Sequence, residues 1–188
     1  MTKQLIGLYS PAPQCGKTTV SRVLEGKGFV RVPFAEALKL MLHPLLVELG
    51  YTPAEATRLL YVAKEECLSS LNVTSRHLLQ TLGTEWGRQC VHPDMWLRVW
   101  EVRAKRYERV VVDDVRFANE AELVRSLGGE LWRIDRPGTV NTSTHASEGG
   151  LDACDYFSQY ICNDGSLDQL TNAVTSLPLW EDGTDPPG

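Results

Sequence analysis

Short runs of apolar residues alternate along this chain with stretches in which apolar positions recur every three or four residues. Residues 4–9 form the first run, continuous as in a strand buried on both faces. A loop with Ser10, Pro11 and Pro13 follows, and Gly16-Lys17-Thr18-Thr19 opens a helical pattern that stops near Gly26 and Gly28. Phe29 to Val32 reads as a second strand. Helical spacing resumes from Ala35 to Leu49 and is ended by Gly50, and Thr52-Pro53 has the cap-plus-proline signature of another helix start. Thr74 or Ser75 opens a long helix running through Trp86 to about Cys90, and Pro93 starts one more, through Arg106. Arg109 to Val112, rich in β-branched residues and followed by Asp113 and Asp114, is the clearest strand. Asn119 to Leu127 is a short amphipathic helix capped by Asn119, Glu130 to Asp135 a strand, Tyr160 to Cys162 a last short strand, and Ser166 begins a final helix.

Strands that alternate with helices require a mostly parallel sheet covered on both faces, an α/β fold in three layers. The consecutive helices of residues 35–106 interrupt the alternation and form a helical insert between the second and third strands. Residues 136–150, rich in Gly, Ser and Thr without apolar periodicity, read as a mobile lid loop; the tail from about residue 178 should fray. The expectation is one domain over residues 1–188.

Composition narrows the class of function. With 43% hydrophobic and 23% charged residues the chain can bury a core, and its net charge of −5 argues against a protein built to coat nucleic acid. No run is long and apolar enough to span a membrane, and the start lacks a signal-peptide layout, so a cytoplasmic protein is expected. The five cysteines include no C-x-x-C pair and share no metal-ligand spacing with histidine, which points to free thiols. An anionic ligand must then be held by a local cluster of positive groups.

The strongest chemical signal is Gly16-Lys17-Thr18 between a predicted strand and a predicted helix. Amides at such a helix start surround phosphates, the lysine reaches the transferring phosphate, and the next hydroxyl holds Mg²⁺. Glycine is expected five residues before Gly16, where Pro11 stands, but residues 14 to 19 all retain their N–H groups. Gln14, Cys15, Gly16, Lys17, Thr18 and Thr19 are therefore the candidate ATP-binding set, with Thr18 as metal ligand. At the carboxyl end of the third strand, Asp113 or Asp114 faces the ligand crevice of such a sheet and is a second metal candidate, with Arg116 able to neutralise charge on a transferring phosphoryl group. In the insert, Arg76 and Arg88 share a helix with Gln80, Gly83, Thr84, Trp86 and Gly87. Two glycines inside a helix suggest close approach of another backbone or a ligand. Arginine matches phosphate and tryptophan can pack on a base, although Trp86, Trp96 and Trp100 serve equally as core. The loop carries Arg136, His145, Ser147 and Glu148. Asn163-Asp164-Gly165 is either a turn and cap or a frame for the ATP base.

Taken together these residues resemble the bacteriophage deoxynucleoside monophosphate kinases, relatives of the adenylate-kinase-like P-loop enzymes. The resemblance runs in order through Gly16-Lys17-Thr18-Thr19, Phe34-Ala35 with Leu38-Lys39, residues 79–88 (LQTLGTEWGR), Asp94 with Trp96, residues 114–120 (DVRFANE), Arg136-Pro137-Gly138, residues 145–148 (HASE) and Asn163-Asp164-Gly165. It implies a P-loop kinase fold, Mg-ATP as donor and a deoxynucleoside monophosphate (dNMP) as acceptor. Lys17 and Thr18 then serve donor phosphates and metal, Arg88 and Arg116 hold acceptor or transferring phosphates, and Arg136 belongs to the lid. Asn163 to Gly165 lie by the adenine. Lys39 and Arg76 line the acceptor side, with Gln80, Trp86, Asp114 and Glu148 as further substrate contacts. A homodimer is compatible with the likeness alone. The competing readings are a kinase for another small acceptor such as dephospho-coenzyme A, and a nucleotide-hydrolysing switch, for which no water-positioning residue stands out.

Overall fold

In the computed structural model residues 4–139, 151 and 157–178 are described. Five strands form one parallel sheet: β1 (Gln4–Tyr9), β2 (Val30–Arg31), β5 (Arg109–Val112), β6 (Glu130–Asp135) and β7 (Gln159–Cys162), in the order β2-β5-β1-β6-β7. Alternate residues of the central strands feed two separate cores. Leu5, Tyr9, Val110, Val112 and Leu131 pack with Trp100, Ala104, Ala121 and Val124 on one face. Ile6, Leu8, Val111, Trp132 and Ile134 pack with Val20, Leu24, Leu170 and Val174 on the other. Helices α5 (Met95–Ala104) and α6 (Ala118–Ser126) thus cover the first face, and α1 (Lys17–Gly26) and α7 (Leu167–Thr175) the second. Continuous apolar strands need this double cover. Gly7 lies on β1 where a Cβ would stand 2.8 Å from Leu131, so glycine lets β1 and β6 pack closely on the α6 side.

The insert between β2 and β5 has its own core of Leu42, Leu46, Ala56, Leu59, Leu60 and Leu68. It joins α2 (Glu36–Glu48), α3 (Pro53–Tyr61), a two-stranded hairpin of β3 (Cys67–Leu68) and β4 (Val73–Thr74), and α4 (Ser75–Gln80). The α3 start carries a full capping box. The Glu55 amide donates to Thr52 Oγ1 at 3.3 Å, and the Thr52 amide donates to Glu55 at 2.8 Å. The hairpin was not expected, because two-residue strands give no periodicity to read. The helix that begins at Ser75 changes at Thr81 into a π-helix running to Val91. Strand order, parallel pairing and helices on both faces are those of the P-loop kinase fold expected above.

Candidate active site

β1 runs straight into the loop that carries the glycine-lysine-threonine signature. Gln14 and Gly16 take left-handed backbone conformations, with φ of 61° and 108°, and α1 begins at Lys17. The amides of Lys17 and Thr18 lie in the first turn of α1, where a helix leaves its N–H groups without partners of its own. The loop closes in this way with Pro11 in place of glycine. The Lys17 ammonium donates to Ser10 Oγ, a residue at the strand end that no spacing rule singles out. Cys15 is buried and Gly16 backs onto Asn163, since a Cβ there would stand 2.8 Å from the Asn163 amide.

Opposite this loop lies a cavity of about 390 Å³, of a size that suits a nucleotide-sized ligand. It brings together Gln14, Lys17 and Thr18 from the loop with Lys39 of α2, Arg76 and Gln80 of α4, Arg88 of the π segment, and Asp114 and Arg116 after β5. Nine of the predicted site residues thus share one space. Asp113, the alternative metal candidate, lines it as well, together with Arg31, Lys64, Thr84, Trp96 and Glu120, to which sequence reading assigned no role in the site.

The two acids after β5 divide their work. Asp114 accepts the amides of Phe34 at 2.8 Å and Ala35 at 2.9 Å, one on each oxygen, and so fixes the entry to α2 and with it Lys39. That use takes one acceptor position on each oxygen of Asp114, one of the two acids the sequence offered as a metal ligand. Asp113 is buried, pairs with Arg31 at 2.7 Å through one oxygen, and has no hydrogen-bond partner on the other among the described residues. Burial, followed by the charge of Asp114, raises its pKa. Asp113, with its orphaned carboxylate oxygen, and the exposed Thr18 line the same cavity, and a carboxylate and a hydroxyl are the donor chemistry a hard cation such as Mg²⁺ takes.

Arg88 is held on every side. Its guanidinium donates to Glu120 at 2.5 Å, to Asn119 at 3.2 Å and to the Pro93 carbonyl at 3.1 Å, and lies 4.0 Å from the centre of the Phe117 ring. The other Glu120 oxygen accepts the amides of Arg116 at 2.7 Å and Phe117 at 3.1 Å. Burial pushes the Glu120 carboxyl up to about 7 against the opposing pull of Arg88. Asn119 is not the helix cap the sequence suggested. It lies inside α6 and donates to Asp94 at 2.8 Å and to the Pro93 carbonyl, joining α6 to the start of α5. Lys39, buried, lies 3.6 Å from Glu36 and 4.3 Å from the Tyr61 ring centre. Arg76 pairs with Glu65.

Other expected residues fall elsewhere. Trp86 is 41% exposed and does not line the cavity; the indole that does is Trp96, donating at 2.8 Å to the Gly83 carbonyl. Of the two helix glycines, Gly87 serves that indole, whereas Gly83 lines the cavity and a Cβ on it would stand 3.1 Å from Leu38. A Cβ on Gly87 would come within 2.3 Å of Trp96 Nε1, so the close approach is by a side chain, neither by backbone nor by ligand. Asn163 spends its amide on the Cys15 carbonyl at 2.9 Å, and Gly165 leaves room for Gln169 to accept the Ser166 amide at 2.7 Å. Both thus support the loop and the cap, one of the two uses the sequence allowed for them. Arg136 points at the phosphate loop, donating to the Gln14 carbonyl at 3.5 Å. Glu148, with His145 and Ser147, lies outside the described residues.

The deoxynucleotide monophosphate kinase family model matches residues 61–174, about three-fifths of the chain. Among the relatives is the deoxynucleoside-5′-monophosphate kinase of Escherichia phage T5, 38% identical over 100 residues, which are 48% of this chain and 40% of that protein. The deoxynucleotide monophosphate kinase of Escherichia phage RB69 is 29% identical over 124 residues, 62% of this chain and 50% of the relative. A protein of Acanthamoeba polyphaga mimivirus is 27% identical over 189 residues, covering 92% of this chain and 94% of its own. The match thus spans half or less of the phage relatives and nearly all of the mimivirus one. With the family model covering the π segment, Arg88, Arg116 and Glu120, this chain belongs to the deoxynucleotide monophosphate kinase family.

Proposed function

We propose that the protein transfers the γ-phosphoryl group of ATP to the 5′-phosphate of a deoxynucleoside monophosphate, giving ADP and the diphosphate, in the cytoplasm. The observation that carries this reading is a phosphate loop sharing one cavity with six further cations, Arg31, Lys39, Lys64, Arg76, Arg88 and Arg116. Two phosphate groups of opposite roles need such a division. The loop and Lys17 hold the donor, and the insert cations hold the acceptor.

An acceptor phosphate oxygen is already nucleophilic, so positioning and charge neutralisation carry most of the acceleration. Arg88 reaches the cavity from the π segment and Arg116 from the β5–α6 connection, on the side facing the loop, and both would stabilise charge on the transferring group. Arg136 adds a charge at the loop itself. Thr18 and Asp113 would hold Mg²⁺, which when bound offsets charge on the donor phosphates. Asp114 acts through the backbone it fixes. Gln80 lines the cavity beside Arg76 and would contact the acceptor.

Coupled ADP release with Mg-ATP, run against each dNMP and NMP separately, tests the proposal. ADP formation should depend on one or more dNMPs and fall by at least a hundredfold in Lys17→Ala. ATP hydrolysis indifferent to every monophosphate would remove the kinase and favour the hydrolysing switch.

A further inference from the structure

Five cations of the cavity wall already have partners: Lys17 with Ser10, Arg31 with Asp113, Lys39 with Glu36, Arg76 with Glu65 and Arg88 with Glu120. Lys64 differs. It is half-buried, lines the same cavity, and has no carboxylate within ion-pair distance among the described residues. Its position is nonetheless built. The Lys64 carbonyl accepts the Arg76 amide at 3.0 Å and the buried Ser75 hydroxyl at 3.3 Å, so the turn after α3 is stitched to the start of α4. The charged groups that act on its ammonium, Lys39 from α2, Arg76 from α4, and Arg116 and Asp114 from the segment after β5, line the same cavity. Three of these four are positive. A half-buried ammonium among like charges, with no carboxylate beside it, is costly unless an anion joins it.

We propose that Lys64 is a further acceptor-binding residue, whose ammonium takes the 5′-phosphate of the acceptor nucleotide together with Lys39 and Arg76. This rests on the kinase reading and adds to it a pH dependence confined to the acceptor. Burial first, then the charges of Lys39, Arg76 and Arg116, lower the Lys64 pKa to about 8. The free enzyme therefore carries the charge below pH 8 and loses it above. A phosphate beside the ammonium favours the charged form, so acceptor binding takes up a proton at and above pH 8.

The experiment has two arms. In the kinetic arm, KM for the preferred dNMP and for ATP is followed from pH 6.5 to 9.5. Above about pH 8 the acceptor KM of the wild type should rise toward tenfold per pH unit, with the ATP KM unchanged. Lys64→Met should raise the acceptor KM about tenfold or more at pH 7 and flatten its profile. Lys64→Arg, which stays charged, should recover most of the affinity and show no rise to pH 9.5. An unaltered acceptor profile in Lys64→Met, or an equal rise in both KM values, overturns the assignment. In the second arm, calorimetric titration with dNMP alone and with ATP alone, each in two buffers of different ionisation enthalpy at pH 8.5, reads proton uptake directly. Uptake with dNMP in the wild type and none in Lys64→Arg supports Lys64 as an acceptor ligand even in a protein that transfers no phosphoryl group. Uptake with ATP instead assigns the lysine to the donor and overturns the proposal.

Discussion

Single residues of this protein do their work in pairs, and Arg88 with Glu120 is the pair with most at stake. The Arg88 side chain is 10% exposed and that of Glu120 4%, and each Glu120 oxygen is used, one by the guanidinium and one by two amides. Glu120 therefore sets where Arg88 stands before any substrate arrives. Its pKa also makes it a reporter. The carboxyl titrates near its ordinary 4.5 in the unfolded chain and near 7 in the fold, so the folded state holds the proton more tightly between those values. The stability this contributes is fully present below about pH 4.5 and is lost as pH rises through 7. The loss is about 1.4 kcal/mol per pH unit within that window. Chemical denaturation at pH 5, 6, 7 and 8 should show the decline in the wild type and a flatter curve in Glu120→Gln. The same slope in both proteins would assign the titration to another group. At pH 8 the glutamine variant should also bind the acceptor less well, because its NH₂ group cannot accept both amides while its oxygen holds Arg88.

Elements show where sequence reading succeeds and where it stops. Strands β1, β5 and β6 were legible because an apolar strand between two helical layers has an unmistakable run of side chains, and α3 because Thr52-Pro53 marks its start. The phosphate loop was legible from Gly16-Lys17-Thr18 in its strand-to-helix setting. The π segment was not. What separates a π-helix from an α-helix is which carbonyl each amide finds, as when the His92 amide reaches back five residues to Gly87, and no residue type marks that choice. What the sequence did offer was two glycines in a helix, and the second of them, Gly87, marks the seat of Trp96. Gly87→Ala tests that seat. Replacing glycine by alanine in a helix usually adds up to about 1 kcal/mol of stability. Here the new methyl meets the rigid indole at 2.3 to 2.7 Å from three atoms. Overpacking of this kind costs about 1 to 3 kcal/mol, so the variant should melt lower than the wild type and show a raised acceptor KM through displacement of Arg88, one residue on. A variant that melts higher would mean that the indole moves aside and that Gly87 is not needed for close packing.

Across the whole molecule, the donor side is assembled from residues far apart in the chain, which is why its support was the least legible part of the site. Asn163 was noticed as part of an Asn-Asp-Gly turn, and a turn motif says what the backbone does locally but not which distant loop it touches. The sheet order supplies the missing distance. β6 lies beside β1, β7 beside β6, and the residue after β7 therefore arrives next to the loop after β1. There the Asn163 amide is held by the Asp135 carbonyl at 2.7 Å, and its side chain donates to Cys15, 148 residues earlier. Gly16 has no side chain, and a Cβ there would collide with the Asn163 side-chain amide and with Leu170 of α7. The last strand and last helix thus press the phosphate loop from behind. Asn163→Ala removes the bond and leaves the buried Cys15 carbonyl without it, a change worth about 1 to 3 kcal/mol. The loosened loop should raise the ATP KM by roughly tenfold while the acceptor KM, set in the insert, moves little. Asn163→Asp is the sharper variant, because its carboxylate cannot donate to the carbonyl and adds negative charge behind a loop built for anions; ATP binding should fall further than in the alanine variant. Equal losses for ATP and acceptor in both variants would mean that Asn163 supports the fold as a whole, and the separation of donor and acceptor sides between the β7–α7 end and the insert would have to be given up.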